Sequence, residues 1–170
     1  MGLDMYLYGE RYISENYSDD PVKSAKALHA TLDALNLLDD ESIAKDHIYG
    51  FSAKVTLGYW RKAWPIHRWF VDNVQNGEDN CGEYRVQTDV LQQLLSDCIA
   101  VLSAKGDPEI AHDTAWAYIP PSENVEYNAF EDPQEEEYYY MKVQHTANIL
   151  TKLLTDKKFA DYDFYYSSSW

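Results

Sequence analysis

The chain has 170 residues, with 29 acidic and 14 basic side chains, and its formal net charge is −15. Hydrophobic residues make up 45% and charged residues 25%, which excludes a disordered chain and is typical of a soluble globular protein. We therefore expect one globular domain over residues 1–170. The acidic charge argues against direct binding of nucleic acid or of an anionic membrane, and it favours a basic partner.

The cysteines and the N-terminal residues exclude further classes of protein. Cys81 and Cys98 form no CxxC motif and have no nearby pair of histidines, so the sequence predicts neither a disulfide framework nor a metal site. No phosphate-binding or nucleotide-binding motif occurs, and we expect no cofactor. The first residues lack the pattern of a signal peptide, and no apolar run is long enough to span a bilayer, which predicts a cytoplasmic protein.

The first half of the chain predicts two strands and two helices. Leu3, Met5 and Leu7 alternate with Asp4 and aromatic residues, a period-two pattern that predicts a strand with Asp4 on its outer face. The elements expected after it are a helix over 21–38, a strand over 48–60 with its apolar residues at odd positions, and a helix over 62–75. The second helix has to begin close to Pro65, because proline inside a helix removes a hydrogen bond.

The second half predicts further helices and strands. Thr88 precedes a periodic leucine stripe and is the expected N-cap of a helix that ends near Ala104. The other expected elements are a turn at 76–80, strands over 83–86, 115–119 and 161–170, and a helix over 135–154. About four helices and four to six strands, without regular alternation, predict an α+β fold with an antiparallel or mixed sheet.

Residues 59–70, which we call the cationic aromatic segment, contain three basic side chains, one histidine and five aromatic rings but no acid. Guanidinium groups and indole faces together favour anions and planar rings, so this segment predicts a site for a small anionic or nucleotide-like ligand. The side chains that we expect to bind it, within the segment and just beyond it, are Tyr59, Trp60, Arg61, Lys62, His67, Trp69, Cys81 and Tyr84.

A structural interpretation of the same residues competes with a ligand site. The aromatic residues that would then anchor the core are Trp60, Trp69 and Phe70. Arg61 would pair with Asp4 or Asp79, and His67 would be a buried imidazole with its hydrogen bonds satisfied.

A catalytic interpretation is the third possibility. His67 would act as a general base, Asp4 or Asp79 would orient it, and Arg61 would stabilise a developing oxyanion. Cys81 could serve as a nucleophile near His67, although no feature of the sequence indicates a lowered pKa for its thiol.

The stretch 107–137 contains ten acids and no lysine or arginine. Such a run is usually a solvated surface, and acids at the start of a helix complement its dipole. It also suits a surface that binds a basic partner by mimicking a polyanion. The side chains that we expect on this surface are Glu131, Asp132, Glu135, Glu136 and Glu137.

Three groups of residues carry a resemblance to known proteins. They are the start Met1-Gly2-Leu3-Asp4-Met5-Tyr6-Leu7, the middle Tyr59-Trp60-Arg61-Lys62-Ala63 with Ile66-His67, Trp69-Phe70-Val71, Asn73-Val74-Gln75, Gly77, Asp79, Cys81-Gly82 and Tyr84, and the end Tyr165-Tyr166 with Ser168-Ser169-Trp170. The chain thereby resembles a family of small uncharacterised proteins of tailed bacteriophages and prophages. That resemblance implies no established activity. The chain departs from the family over about 107–140, so a function of the acidic stretch would be peculiar to this protein.

These observations lead to two functional hypotheses. The first is a non-enzymatic phage accessory protein that binds a host or defence protein through its acidic, tyrosine-rich surface, or a small anionic ligand at Arg61 and His67. The alternative is a small enzyme that acts on a phosphorylated or nucleotide-like substrate with His67 as its base. A virion or assembly component is a third class, for which self-association would be the cue.

Overall fold

The computed structural model describes residues 2–14, 20–35, 48–121 and 129–170. Within these ranges lie five α-helices and a four-stranded antiparallel sheet, which confirms the predicted α+β class. The helices are Pro21–Ala34 (α1), Trp64–Asn73 (α2), Thr88–Ala104 (α3), Ala111–Tyr118 (α4) and Pro133–Thr155 (α5). The strands are Asp4–Ser14 (β1), Gly50–Arg61 (β2), Glu83–Val86 (β3) and Asp163–Ser169 (β4), in the order β2-β1-β4-β3.

The chain forms two compact units. Unit 1 comprises residues 1–9 and 56–170 and holds every candidate site residue, whereas unit 2 comprises residues 10–55. In unit 2, α1 begins after Asp20, whose side chain accepts a hydrogen bond from the Lys23 backbone N–H at 3.0 Å. The predicted end of α1 near residue 38 lies outside the described residues, where 36–47 are not included.

The buried positions follow the predicted alternation in β1 but not in β2. Leu3, Met5 and Leu7 of β1 are fully buried, as the alternation predicts. In β2 the expected strand forms, but its buried residues at the C-terminal end are Gly58 and Trp60 rather than the odd-numbered ones. Gly58 has no side chain, so the Trp60 indole packs over its backbone: a Cβ there would lie 2.9 Å from that ring.

The helix α3 packs against α5 and supplies much of the core of unit 1. Its cap differs from the prediction: α3 begins at Thr88, the N-cap position is Gln87, and no side chain caps the helix. Gln87 already has the extended backbone that an N-cap requires, which places Thr88 inside the first turn.

The strand predicted over 115–119 is wrong, because this stretch belongs to the helix α4. The short alternating pattern of the sequence also fits one helical face, on which Ala111 and Ala115 are buried four residues apart. Small side chains at this spacing let α4 approach α3 closely. The helix ends at Tyr118, and the carbonyl of the C-cap residue Ile119 accepts a hydrogen bond from the Tyr139 hydroxyl at 2.7 Å.

The two cysteines differ in reactivity. Burial raises the pKa of the Cys98 thiol to about 12, whereas Cys81 is exposed on a loop. We expect a thiol reagent at neutral pH to modify one cysteine in the native protein and both in denaturant. A Cys81→Ser variant should show no rapid modification, and rapid labelling of that variant would contradict the burial of Cys98.

Candidate functional site

A tight turn at Lys62 connects β2 to α2 and directs the His67 side chain of α2 into the core. Lys62 adopts a left-handed backbone with φ of 52°, and its N–H donates to the Leu3 carbonyl at 2.7 Å. The helix then begins at Trp64, and Pro65 occupies its first turn, where a missing N–H leaves no hydrogen bond unmade. His67 on the inner face of this helix is 1% exposed.

His67 contacts a tyrosine with one ring nitrogen and an acid with the other. Its Nδ1 lies 2.7 Å from the Tyr166 hydroxyl of β4. Its Nε2 lies 3.1 Å from Oδ1 of Asp79, but the N–H direction misses that oxygen, so the contact is close without being a hydrogen bond. Asp79 was one of the two acids expected to orient His67, while Tyr166 was not among the predicted site residues.

The environment of Tyr166 determines the state of the imidazole. Burial, and secondly the negative charge of Asp79, raise the pKa of the Tyr166 hydroxyl, which therefore keeps its proton at neutral pH. A protonated hydroxyl can donate to Nδ1 of His67 or accept from it. Because a carboxylate oxygen of Asp79 lies 3.1 Å from Nε2 and would repel a lone pair there, we assign the hydrogen of a neutral ring to Nε2 and the acceptor role to Nδ1. In this tautomer His67 offers a buried N–H towards the side of Asp79.

A tight loop over residues 76–82 holds Asp79 beside His67. Asn76, Gly77 and Cys81 all adopt positive φ, and the Gln75 side chain donates to the Glu78 carbonyl at 2.8 Å. Within the loop, the Asn80 side-chain oxygen accepts hydrogen bonds of 3.0 Å from the Gly82 N–H and from the Tyr84 hydroxyl. Since Tyr84 of β3 pairs with Tyr166 of β4, sheet register fixes where the loop begins and ends.

Two indole rings complete the surroundings of His67. Trp64 at the start of α2 and Trp170 after β4 have ring centres 6.0 and 5.9 Å from the His67 ring. Both are close to half exposed, at 44% and 43%. We call the residues His67, Tyr166, Asp79, Trp64 and Trp170 the His67 cluster. The sequence placed Trp64 in the cationic aromatic segment but gave no signal that it would meet a residue 106 positions later in the chain.

Arg61 and Asp4 lie on the other face of the sheet from His67. The Tyr59 hydroxyl donates to the Asp4 carboxylate at 2.5 Å, and this bond is the main cause of a raised pKa of Tyr59. Arg61 is close enough to oppose that rise, so it shares the exposed face with Tyr59. Because Trp60 between them points into the core, Arg61 is directed away from His67. Neither expected ion pair of Arg61, with Asp4 or with Asp79, is formed.

The other predicted ligand-binding residues separate into core and surface. Trp60 and Trp69 are buried, and their indole N–H groups donate at 2.9 Å to Thr146 and to Asp97, as the structural interpretation expects. Lys62 is exposed and its aliphatic chain lies against Gly2. Cys81 and Tyr84 belong to the loop and strand beside the His67 cluster.

The predicted partner surface lies at the start of α5. Asp132 is the N-cap, and its side chain accepts a hydrogen bond from the Gln134 N–H at 2.8 Å. The carboxylates that take no part in an ion pair with any described residue are Glu131, Asp132, Glu135, Glu136 and Glu137. All but Glu136 are exposed, and Glu136 is half buried. Phe130 contacts His112 of α4 at 5.5 Å between ring centres. This contact places the exposed Asp113 of α4 in the same region.

The tautomer of His67 is testable by NMR. At neutral pH we expect the Nδ1 signal of His67 at the shift of an unprotonated acceptor and the Nε2 signal at that of a protonated nitrogen. Tyr166→Phe removes the donor to Nδ1 and should lower the free energy of unfolding by about 1–2 kcal/mol. Tyr84→Phe, at the paired position on β3, should leave the His67 signals unchanged, and the opposite tautomer in the wild type would contradict the assignment.

The described ranges contain no group of three or more His, Cys, Asp or Glu side chains that could hold a metal ion. In the same ranges, no helix has the length and apolarity needed to cross a membrane. Compared with protein-family models, with curated proteins and with solved structures, the chain gave no match, so its function has to be argued from its own side chains.

Proposed function

We propose that this protein acts by binding a basic partner protein through the acidic surface at the start of α5. The observation that carries the proposal is that five carboxylates within seven residues have no ion pair among the described parts of the chain. Such an uncompensated cluster costs self-repulsion, which a basic partner would relieve. The resemblance to phage proteins makes a host or defence protein the partner that we propose.

Apolar and aromatic side chains near these acids support a protein partner over a small cation. Tyr138 and Met141 on α5, and Ile110 and Tyr118 around α4, are between 37% and 51% exposed. Two lysines of this region lie over aromatic rings: Lys142 is 4.4 Å from the centre of the Tyr138 ring and Lys105 is 4.7 Å from that of Tyr140. Aromatic anchors surrounded by charge are the usual composition of a protein interface.

The test compares the capture of partner proteins by the wild-type protein and by a variant that lacks two carboxylates of this surface. The protein and its Glu135→Gln, Glu137→Gln double variant are used to capture proteins from bacterial lysate, and bound proteins are quantified by mass spectrometry. We expect a basic protein whose capture by the double variant falls about fivefold, since each exposed pair contributes about 0.2–1 kcal/mol. Raising salt from 0.1 M to 1 M shortens the Debye length from about 10 Å to about 3 Å and should release that protein.

A control variant distinguishes the effect of this surface on capture from the effect of net charge. Asp33→Asn with Asp89→Asn also removes two exposed carboxylates, and Asp89 occupies the first turn of α3 as Glu135 does in α5. We expect this control to keep full capture of the same protein. Equal losses in both double variants would mean that only overall charge matters, and the proposed surface would be discarded.

The second candidate function is a small enzyme with His67 as general base. The contact chain from Asp79 through His67 to Tyr166 favours it, because an acid beside an imidazole is the arrangement that catalytic histidines use. With Asp79 beside Nε2, the nitrogen left to abstract a proton is Nδ1, so a substrate would have to displace the Tyr166 hydroxyl, which lies 2.7 Å from that nitrogen. Turnover of a nucleotide or phosphorylated substrate that His67→Gln abolishes, in a folded variant, would support this candidate over binding alone.

A further inference from the structure

We propose that the His67 cluster binds a cationic group, an ammonium or a guanidinium, with the Asp79 carboxylate and the indole rings of Trp64 and Trp170. This site uses different residues from the acidic surface of α5, and it does not rest on that surface having a partner. The ligand is either a free amine or the side chain of a lysine or arginine in a peptide, and the two have the same recognising chemistry.

The charge of the cluster selects a cation. Asp79 is the acid in contact with His67, and within the described residues no lysine or arginine pairs with it or lies over either indole. Of the three basic residues of the cationic aromatic segment, Arg68 pairs with Asp72 at 2.9 Å, Arg61 lies on the opposite face of the sheet, and the aliphatic chain of Lys62 lies against Gly2. An anion would therefore meet a carboxylate and no compensating cation at this site.

The aromatic rings supply the second component of a cation site. Trp64 and Trp170 both contact the same imidazole, and both leave over two fifths of their surface exposed. Indole has the most favourable ring face for a cation within about 6 Å, and aromatic faces beside a carboxylate are how ammonium groups are bound in proteins.

The third observation is that one carboxylate oxygen of Asp79 has no hydrogen-bond partner among the described residues. Oδ2 of Asp79 has no partner in the described parts of the chain, and the carboxyl group is 37% exposed. An ammonium or guanidinium N–H of the ligand would donate to this free oxygen of Asp79.

The role of His67 in this proposal is to orient the acid. With a hydrogen on Nε2, the ring attracts Oδ1 of Asp79, which lies 3.1 Å from that nitrogen but out of line for a hydrogen bond. Oδ2 is then left for the ligand. His67 is a positioning residue here, since it is buried and does not itself touch the cation.

The test is a titration followed through the two indole N–H signals by NMR on the full chain. The probes are n-butylammonium, n-butylguanidinium and the neutral n-butanol. We expect both cations to shift the Trp64 and Trp170 signals with a dissociation constant of about 1–10 mM, and butanol to shift neither. Equal shifts with butanol would show only apolar contact and would overturn the proposal, as would no shift with either cation up to about 100 mM.

Matched variants assign the binding to Asp79. Asp79→Asn should weaken cation binding about tenfold, whereas Glu137→Gln, which removes an exposed acid from α5 that has no ion pair among the described residues, should leave it unchanged. Unchanged binding in Asp79→Asn would overturn the assignment. A tripeptide Gly-Lys-Gly that binds about tenfold more tightly than butylammonium identifies a peptide cation as the ligand, and equal binding identifies a free amine.

Discussion

Replacing Phe70 by alanine is expected to lower the free energy of unfolding by about 4 kcal/mol, the largest effect of any single substitution considered for this protein. Phe70 is completely buried on α2, and its ring stacks on Tyr166 with 3.9 Å between centres and an angle of 7°. It also contacts Trp60 and Trp69 at 6.1 and 5.6 Å. One ring therefore joins α2 to β4 and to the end of β2, and its loss leaves a cavity that these rigid neighbours cannot fill.

The Phe70→Ala effect is measured by urea unfolding followed by circular dichroism. Phe70→Leu keeps most of the volume and should cost about 1 kcal/mol. Tyr118→Ala removes a half-exposed ring and should change stability by no more than about 0.5 kcal/mol. A loss in Phe70→Ala as small as that in Tyr118→Ala would mean that the stack with Tyr166 does not form.

The same substitution has a consequence for the His67 cluster. Because Phe70 positions Tyr166, its removal frees the hydroxyl from Nδ1 of His67. We expect the His67 nitrogen signals of Phe70→Ala to resemble those of Tyr166→Phe, provided that the variant is studied at a temperature where it is folded.

The second large effect is expected for Asp97→Ala, at about 2–3 kcal/mol. Asp97 on α3 is 6% exposed, and its two oxygens accept hydrogen bonds from the Trp69 indole at 2.9 Å and from the Gln93 amide at 2.7 Å. No basic side chain of the described residues pairs with it. Removing the carboxylate relieves the cost of burying a charge, but it leaves the indole N–H of Trp69 buried without an acceptor, and we expect the second effect to be larger.

The Asp97→Asn variant distinguishes the contribution of the hydrogen bonds to the free energy of unfolding from that of the buried charge. Asparagine keeps an acceptor for Trp69, and Gln93 can rotate its amide to match, so this variant should lose about 1 kcal/mol. A double-mutant cycle with Trp69→Phe should give a coupling energy of about 1–2 kcal/mol. If Asp97→Ala proves as stable as the wild type, the buried charge costs as much as its hydrogen bonds contribute, and Asp97 is retained for another reason.

Local patterns predicted most of the fold. The alternation of Leu3, Met5 and Leu7 predicted β1, and the leucine stripe after Thr88 predicted α3, because burial on one face imposes a period that the sequence has to obey. The strand predicted over 115–119 is wrong because the pattern there is too short to show a period. Its five residues are too few to distinguish a period of two from one of 3.6, and contact with α3 decided in favour of the helix α4.

The candidate site was only partly accessible to sequence reasoning. His67 could be named because it lies in a segment of unusual composition, and Asp79 because it is an acid twelve positions later in the chain. Arg61 could not be separated from them, since the sequence does not say where β2 ends and the helix begins. The strand carries Arg61 to the outer face through simple alternation, and the turn at Lys62 then directs His67 inward.

By itself the sequence determined the composition of the surface, the α+β class, and the acids at the start of α5, since charge and periodicity are local properties. Only the tertiary structure decided which chemistry meets His67. Tyr166 and Trp170 reach it through the pairing of β3 with β4, and that pairing joins residues about 80 positions apart. The sheet register, the start of α2 and the loop over 76–82 together place an acid and two indoles at the imidazole, where composition alone had suggested an arginine. A cation site therefore replaces the anion site in our proposal.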